Sequence, residues 1–265
     1  MSHISFSELK IWNECPFKHK LVHIDKIKAF IGNEYTAFGT ALHTVCEETL
    51  ERWKISHTVL SEEEMRAIFK TNFLRIIDNL RGKDVNIDSG MVSSMLRQAK
   101  TLIPDIMPSL KEYFGEFELV TTEEGLMEEI LAYDKANINF KGFIDLVLKT
   151  KDGKYHIIDW KTCSWGWDAK RRSEPMTTYQ LTYYKHYFSA KHNIDPKNID
   201  THFALLKRTA KKDQVEIFRV TSGPIKTRNA LNLLTKALHN ITRKNYVKNR
   251  LSCTYCEFKK TRHCP

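Results

Sequence analysis

The segments Gly142-Phe-Ile-Asp145 and Asp159-Trp-Lys161 stand on either side of one turn, and their register decides what this chain can fold around. Phe140 to Lys149 is rich in Phe, Ile, Val and Leu, and Tyr155-His-Ile-Ile158 leads into Asp159, so both flanks of Asp152-Gly153 read as β-strands. Side chains alternate faces along a strand, so Asp159 and Lys161 share one. A two-residue turn at Asp152-Gly153 would pair Asp145 with Trp160 and put the two acids on opposite faces. A three-residue loop, Lys151-Asp152-Gly153, with Gly153 left-handed in a bulge, pairs Thr150 with Lys154 instead and sets Asp145 opposite Asp159. Directly opposed carboxylates repel, and a bridging divalent cation relieves that repulsion.

An isolated Asp-x-Lys or Gly-x-x-Asp is usually solvated surface; the ordered set is what carries information. Downstream of the hairpin, a helix expected over 175–191 places Gln180 and Tyr184 one turn apart on a shared face. Upstream, Phe38-Gly39-Thr-Ala-Leu-His43 opens a helix over about 37–54, with Gly39, His43 and Glu47 on one face. Glu47 either orients a ligand from behind or faces water beside Glu48. Together these segments resemble the RecB-like branch of the PD-(D/E)XK nuclease superfamily. The resemblance implies that His43, Asp145, Asp159 and the backbone carbonyl of Trp160 hold Mg²⁺ or Mn²⁺. It further implies that Lys161 assists catalysis and that Gln180 and Tyr184 lie beside the site.

Six cysteines are present: Cys15, Cys46, Cys163, Cys253, Cys256 and Cys264. The N-terminus is polar and charged, without a signal-peptide pattern. The chain is therefore expected to be intracellular and cytoplasmic, or nucleoid-associated, where thiols stay reduced. Cys253-x-x-Cys256 with Cys264 then reads as metal binding rather than as disulfides. Cys15 sits in Ser5-Phe-Ser7-Glu8-Leu9-x-x-Trp12-x-x-Cys15-Pro16, which resembles the N-terminal motif of RecB-like nucleases that carry a 4Fe-4S cluster. These include the AddB recombination nuclease subunits and the CRISPR-adaptation exonucleases. The resemblance makes Cys15, Cys253, Cys256 and Cys264 the cluster ligands. Seven residues separate Cys256 from Cys264 where about five are expected, so His263 competes as a ligand. The same four thiolates also suit tetrahedral Zn²⁺. Cys46 and Cys163 read as small buried apolar residues.

The chain has 265 residues and a net charge of +10, unevenly spread. Residues 201–265 hold 15 Lys and Arg against 3 Asp and Glu, a balance of +12, whereas residues 1–200 are near neutral at −2. A basic quarter suits a polyanion. Lys207, Arg208, Lys211, Lys212, Arg243 and Lys244, with Lys248 and Arg250, are the expected DNA contacts; the competing reading is solvated surface. Aromatic residues from Trp160 to Tyr187 include candidates for stacking on unpaired bases. No apolar run approaches membrane-spanning length. No Gly-x-x-x-x-Gly-Lys-Ser/Thr motif supplies a nucleotide-driven motor.

The residues alone support a mixed α/β fold. Helices are expected at 62–80, 90–102 and 108–114, and strands at 116–122, 126–133, 138–150, 154–162, 201–208 and 214–220. The segment 165–175 reads as a loop and 224–245 as a helix. Ser5 with Glu8 reads as a capping box. By resemblance the fold is a restriction-endonuclease-like core with a helical insertion and a C-terminal cysteine-cluster subdomain. The expected units are 1–36, 37–115, 116–245 and 246–265. The function implied is a metal-dependent DNA nuclease, an exonuclease directed at single strands or ends, acting in recombination, repair or processing beside a helicase or integrase. The alternative is a non-catalytic DNA-end-binding protein with a structural metal cluster.

Overall fold

The computed structural model describes residues 3–27, 30–131, 133 and 137–265. The order is β1 (His3–Ser5), α1 (Phe6–Glu14), α2 (Pro16–His19) running into a π-helical turn at Lys20–Ile24, α3 (Glu34–Ser56), α4 (Glu62–Arg81), α5 (Ser89–Leu102) and α6 (Ile106–Phe114). Then come β2 (Phe117–Glu129), β3 (Asn139–Thr150), β4 (Tyr155–Cys163), α7 (Ala169–Ser173), α8 (Pro175–His192), β5 (Ile199–Lys207), β6 (Val215–Val220) and α9 (Pro224–Thr242), followed by a turn-rich tail.

The mixed α/β reading holds. The hairpin takes the bulged register: Thr150 N–H donates to Lys154 O at 3.0 Å and Gly153 is left-handed at φ 82°. Pairing runs from Lys149–Tyr155 to Leu146–Ile158. One edge of β3 pairs with β2 from Asn139 to Thr150. The other edge takes β1 in parallel at Asn139–Lys141 and β4 antiparallel at Leu146–Lys149. Among the described residues no strand covers that edge between Lys141 and Leu146, so Gly142 to Asp145 occupies a gap in the sheet. β4 continues in parallel pairing with β5, and β5 pairs with β6 antiparallel.

Helices cover both faces. Alternation along the strands sorts the core: Ile158, Trp160, Ala204 and Leu206 pack with α3 to α6, while Ile157, Phe203 and Leu205 pack with α1, α8 and α9. Phe38 of α3 anchors the first layer, edge-on to Phe69 (5.2 Å between centroids) and Phe73 (6.1 Å) of α4. Burial of each such ring contributes about 1.5–3 kcal/mol, and its aromatic contacts add about 0.5–1.5 kcal/mol per pair. Asn33 and Thr36 form a capping box that starts α3.

Four expectations need correction. The strands expected at 116–122 and 126–133 are one bulged strand, Phe117–Glu129, because pairing with β3 on both sides of the turn-like Glu123-Glu124-Gly125 overrides it; the strand stops short of 133, and Tyr133 lies outside it. β1 is too short to leave a pattern and was not foreseen. Ser5 caps α1, accepting from Glu8 N–H at 3.2 Å. The Glu8 carboxylate, however, does not return to the cap: it is buried against His19, with Oε1 2.8 Å from Nε2. The segment 165–175 contains the short helix α7, capped by Asp168, whose Oδ1 accepts from Arg171 N–H at 2.7 Å.

Candidate active site

The site forms where β3 and β4 part. Beyond Leu146–Ile158 the Asp145 carboxylate enters the opening and accepts the Trp160 N–H at 2.7 Å, satisfying a donor that the ladder leaves free. The acids of the two strands are thereby held close, as their register requires. Asp159 is 1% exposed, and Lys161 Nζ lies 2.6 Å from its Oδ2. The ammonium is off the line of a hydrogen bond, so that buried oxygen has a counter-charge but no directed partner.

α3 and β2 close the site from the other side. His43 Nδ1 lies 3.7 Å from Asp145 Oδ1, and the ring lies near the Trp160 backbone. Near Val120 a bulge shifts the β2 register. The last turns of α3 pin it: Lys54 Nζ donates to Val120 O at 3.0 Å, and Thr122 Oγ1 donates to Glu51 Oε1 at 2.6 Å. Bulges re-aim side chains. The next residue, Glu123, is left-handed at φ 48°, a conformation costing about 1–2 kcal/mol outside glycine. One donor atom from each of His43, Glu123 and Asp145 lies within 4.8 Å of the others. Glu123 was not foreseen as a site residue. Its local signal is faint: two acids ahead of a glycine, in a strand that also carries Glu118, Glu128 and Glu129. Asp159 and the Trp160 carbonyl adjoin this set without belonging to the group of three.

The electrostatics favour a cation. Burial, then repulsion from Asp159, holds the Asp145 carboxyl well above its ordinary range, against the pull of Lys161 and the Trp160 N–H. Burial, then Glu47 and Asp159, pushes Glu123 up. Burial pushes His43 down, leaving the neutral imidazole that a metal requires. An imidazole and carboxylate oxygens, with an orphaned buried oxygen beside them, fit a divalent cation of the Mg²⁺ or Mn²⁺ type.

Gln180 and Tyr184 meet on α8, Nε2 donating to the phenol oxygen at 3.0 Å. Tyr184 lies over Gly142, where an added Cβ would stand 2.9 Å from its ring. The glycine is required by this close approach, which seals one end of the gap in the sheet.

The sequence profile of the PD-(D/E)XK nuclease superfamily matches residues 3–264. The chain belongs to this superfamily. Its members are phosphodiester hydrolases that use divalent metals. Among solved structures the nuclease is similar to a candidate exonuclease from Eubacterium rectale, at 14% identity and TM-score 0.58, covering 98% of this chain and 89% of that one. A weaker likeness is to SSO0001, at 17% identity and TM-score 0.37, covering 96% and 93%. No curated protein matches the chain.

Away from the acids, the tail of the nuclease folds back on its N-terminus. Ser252 Oγ and Asn249 Nδ2 both donate to Glu14 O, at 2.6 and 2.9 Å, and Lys18 pairs with Glu257 at 3.0 Å. Cys15, Cys253, Cys256 and Cys264 all line one cavity of about 480 Å³. The Asn249 N–H points to Cys15 Sγ at 3.4 Å. Lys248, Arg250, Lys259 and Lys260 line the same cavity, a positive surround that suits an anionic thiolate centre. Cys46 is buried in the core, where burial pushes its thiol up, and Cys163 is half-buried.

The basic residues divide. Lys207 pairs with Glu216 at 3.4 Å. Arg208 bonds Gln98 and Ser164 and lies over Tyr35, so both are engaged within the fold. Lys211, Lys212, Arg243 and Lys244 are exposed. No helix among the described residues is long and apolar enough to cross a membrane.

Because burial, then repulsion from Asp159, disfavours the charged Asp145, Asp145→Asn should raise the melting temperature of the metal-free protein near neutral pH, each kcal/mol recovered reading as about 2–4 °C. It should also abolish any further rise on adding Mn²⁺. The sign follows from linkage: a carboxylate raised on folding loses stability as pH climbs through the interval between its unfolded and folded values. Differential scanning with EDTA and with Mn²⁺ measures both; a variant that melts lower without metal yet is still stabilised by Mn²⁺ removes Asp145 from the site.

Proposed function

We propose that this nuclease cleaves DNA with Mg²⁺ or Mn²⁺, acting on single strands and ends as an exonuclease. The observation that carries the reading is the convergence of His43, Glu123 and Asp145 beside the buried Asp159–Lys161 pair. Oxygen donors suit Mg²⁺, and the imidazole tilts the preference towards Mn²⁺. When bound, the cation would supply Lewis-acid polarisation of the scissile phosphate and a lowered pKa for the attacking water. Asp159 holds Lys161 in place, and the ammonium steadies negative charge developing on the phosphate. Gln180 and Tyr184 steady the strand beside the lysine. The Eubacterium rectale relative, itself described as a candidate exonuclease, agrees with action from an end.

The shared cavity supports a cluster bound by Cys15, Cys253, Cys256 and Cys264, with 4Fe-4S as the first reading and Zn²⁺ as the second. Such a cluster ties residue 15 to residue 264 and acts through stability and DNA positioning. An iron–sulfur centre and unbridged thiols both fit a reducing intracellular compartment. The chain's role would be in recombination, repair or DNA processing, either free-standing or as a subunit beside a helicase or integrase.

Asp159→Ala and Lys161→Ala should each lower cleavage of labelled single- and double-stranded DNA by about a thousandfold or more, while leaving DNA binding largely intact. Purified Asp159→Ala protein that still cuts at the wild-type rate would defeat the assignment.

Anaerobically purified protein should be brown, with about four irons per chain, and Cys15→Ala should lose the colour and much thermal stability. Colourless protein with one tight zinc decides for zinc; metal-free protein of normal stability removes both.

A further inference from the structure

A groove of about 730 Å³ takes in Lys161, Gln180 and Tyr184 and reaches the first turns of α1. Lys141, Gly142 and Phe143 line it, and these residues stand at the gap between β1 and β4. The gap therefore has a use beyond admitting the Asp145 carboxylate: it leaves a sheet edge open to something that is not a strand of this chain.

The lining is cationic and aromatic. Lys10, Lys141 and Arg171 join Lys161 around the groove. Phe143 is 51% exposed although it sits on the central strand, and Lys141 Nζ stands 5.8 Å from its ring centroid. Arg171 lies 4.5 Å over the buried Trp167 ring. Glu8 is the one carboxylate among the described lining residues, and His19 holds it at 2.8 Å, so it meets the groove already partnered. His3 and His23 complete the titratable lining.

A half-exposed aromatic ring flanked by cations is a stacking platform, and a base can reach it only when it is unpaired. A duplex keeps its bases inside and presents phosphates alone. We propose that this groove receives single-stranded DNA on its way to the acids, with Phe143 stacking on an unpaired base and Lys10, Lys141 and Arg171 contacting phosphates. This rests on the reading of the chain as a DNA nuclease and goes beyond it by naming the residues that select a single strand. It also adds DNA contacts at the sheet edge to the exposed Lys211, Lys212, Arg243 and Lys244 of the basic C-terminal quarter, where Lys207 and Arg208 are engaged elsewhere.

Fluorescence anisotropy in EDTA, with a labelled oligothymidylate and a matched duplex hairpin, tests it. Phe143→Ala should weaken strand binding roughly tenfold or more, the loss of one stacked base, and leave hairpin affinity unchanged. Phe143→Tyr, which keeps the ring, should restore strand binding. Lys10→Gln with Lys141→Gln should flatten the salt dependence by about 0.7 per charge removed. Circular-dichroism melting confirms that each variant is folded. Strand binding by Phe143→Ala equal to wild type, or equal losses for strand and hairpin, overturns the inference. Cleavage with Mn²⁺, assayed on the same preparations, separates the two readings. Wild-type cleavage with no Phe143 dependence overturns the groove alone. Phe143-dependent binding without cleavage upholds the groove and overturns the nuclease.

Discussion

Carboxylates drawn out of water and set beside one another, Asp145 and Glu123 next to Asp159, are the constraint around which the candidate site is built. Both Asp145 and Glu123 are raised, burial being the larger cause in each. The fold opposes this with two fixed groups, the Trp160 N–H on Asp145 and the Lys161 ammonium at Asp159. Those groups leave Asp145 still well above its ordinary range. On the proposed reading, a divalent cation would recover that cost of burial and repulsion on binding, so that a destabilised metal-free site and a metal-binding site would be one feature.

Holding the acids there depends on α3 and on the interrupted edge of β3. α3 does three jobs along its length. Phe38 locks it to α4, His43 faces Asp145, and Glu51 and Lys54 hold the β2 bulge that precedes Glu123. The edge of β3 is covered by β1 at one end and β4 at the other. Between them Gly142 yields to Tyr184, Phe143 is exposed, and Asp145 turns to the Trp160 backbone. Chemistry and substrate access thus share four consecutive residues. α1 begins at this groove and ends at Cys15, so one helix connects the groove to the cysteine cavity.

Local rules were enough to read the hairpin. Gly153 and the loop length set the register, and the register set the acids face to face, so the heart of the candidate site was legible before any coordinates. The helices of the first layer were legible for the same reason: their apolar periodicity and caps are local. What escaped depends on distant partners. Three residues of β1 are strand only because β3 lies beside them. Glu123 sits in a segment whose local sequence resembles a turn, and only pairing with β3 and contacts from α3, some seventy positions away, keep it in a strand within reach of His43 and Asp145. Glu8 has the position of a capping-box acid but is claimed by His19. Lys207 and Arg208 look like free cations in sequence, yet Glu216, Gln98 and Ser164 engage them. Charge counts carry no information about which charges are already paired.

The most direct test of the central claim, that His43, Glu123 and Asp145 hold one cation, is calorimetric titration of Mn²⁺ into the wild type and Glu123→Gln. This substitution keeps the shape of the side chain and removes its charge. The account predicts saturable binding of one Mn²⁺ at this site in the wild type, weakened at least tenfold, or about 1.4 kcal/mol, in Glu123→Gln. Equal Mn²⁺ affinity in the two proteins would contradict it.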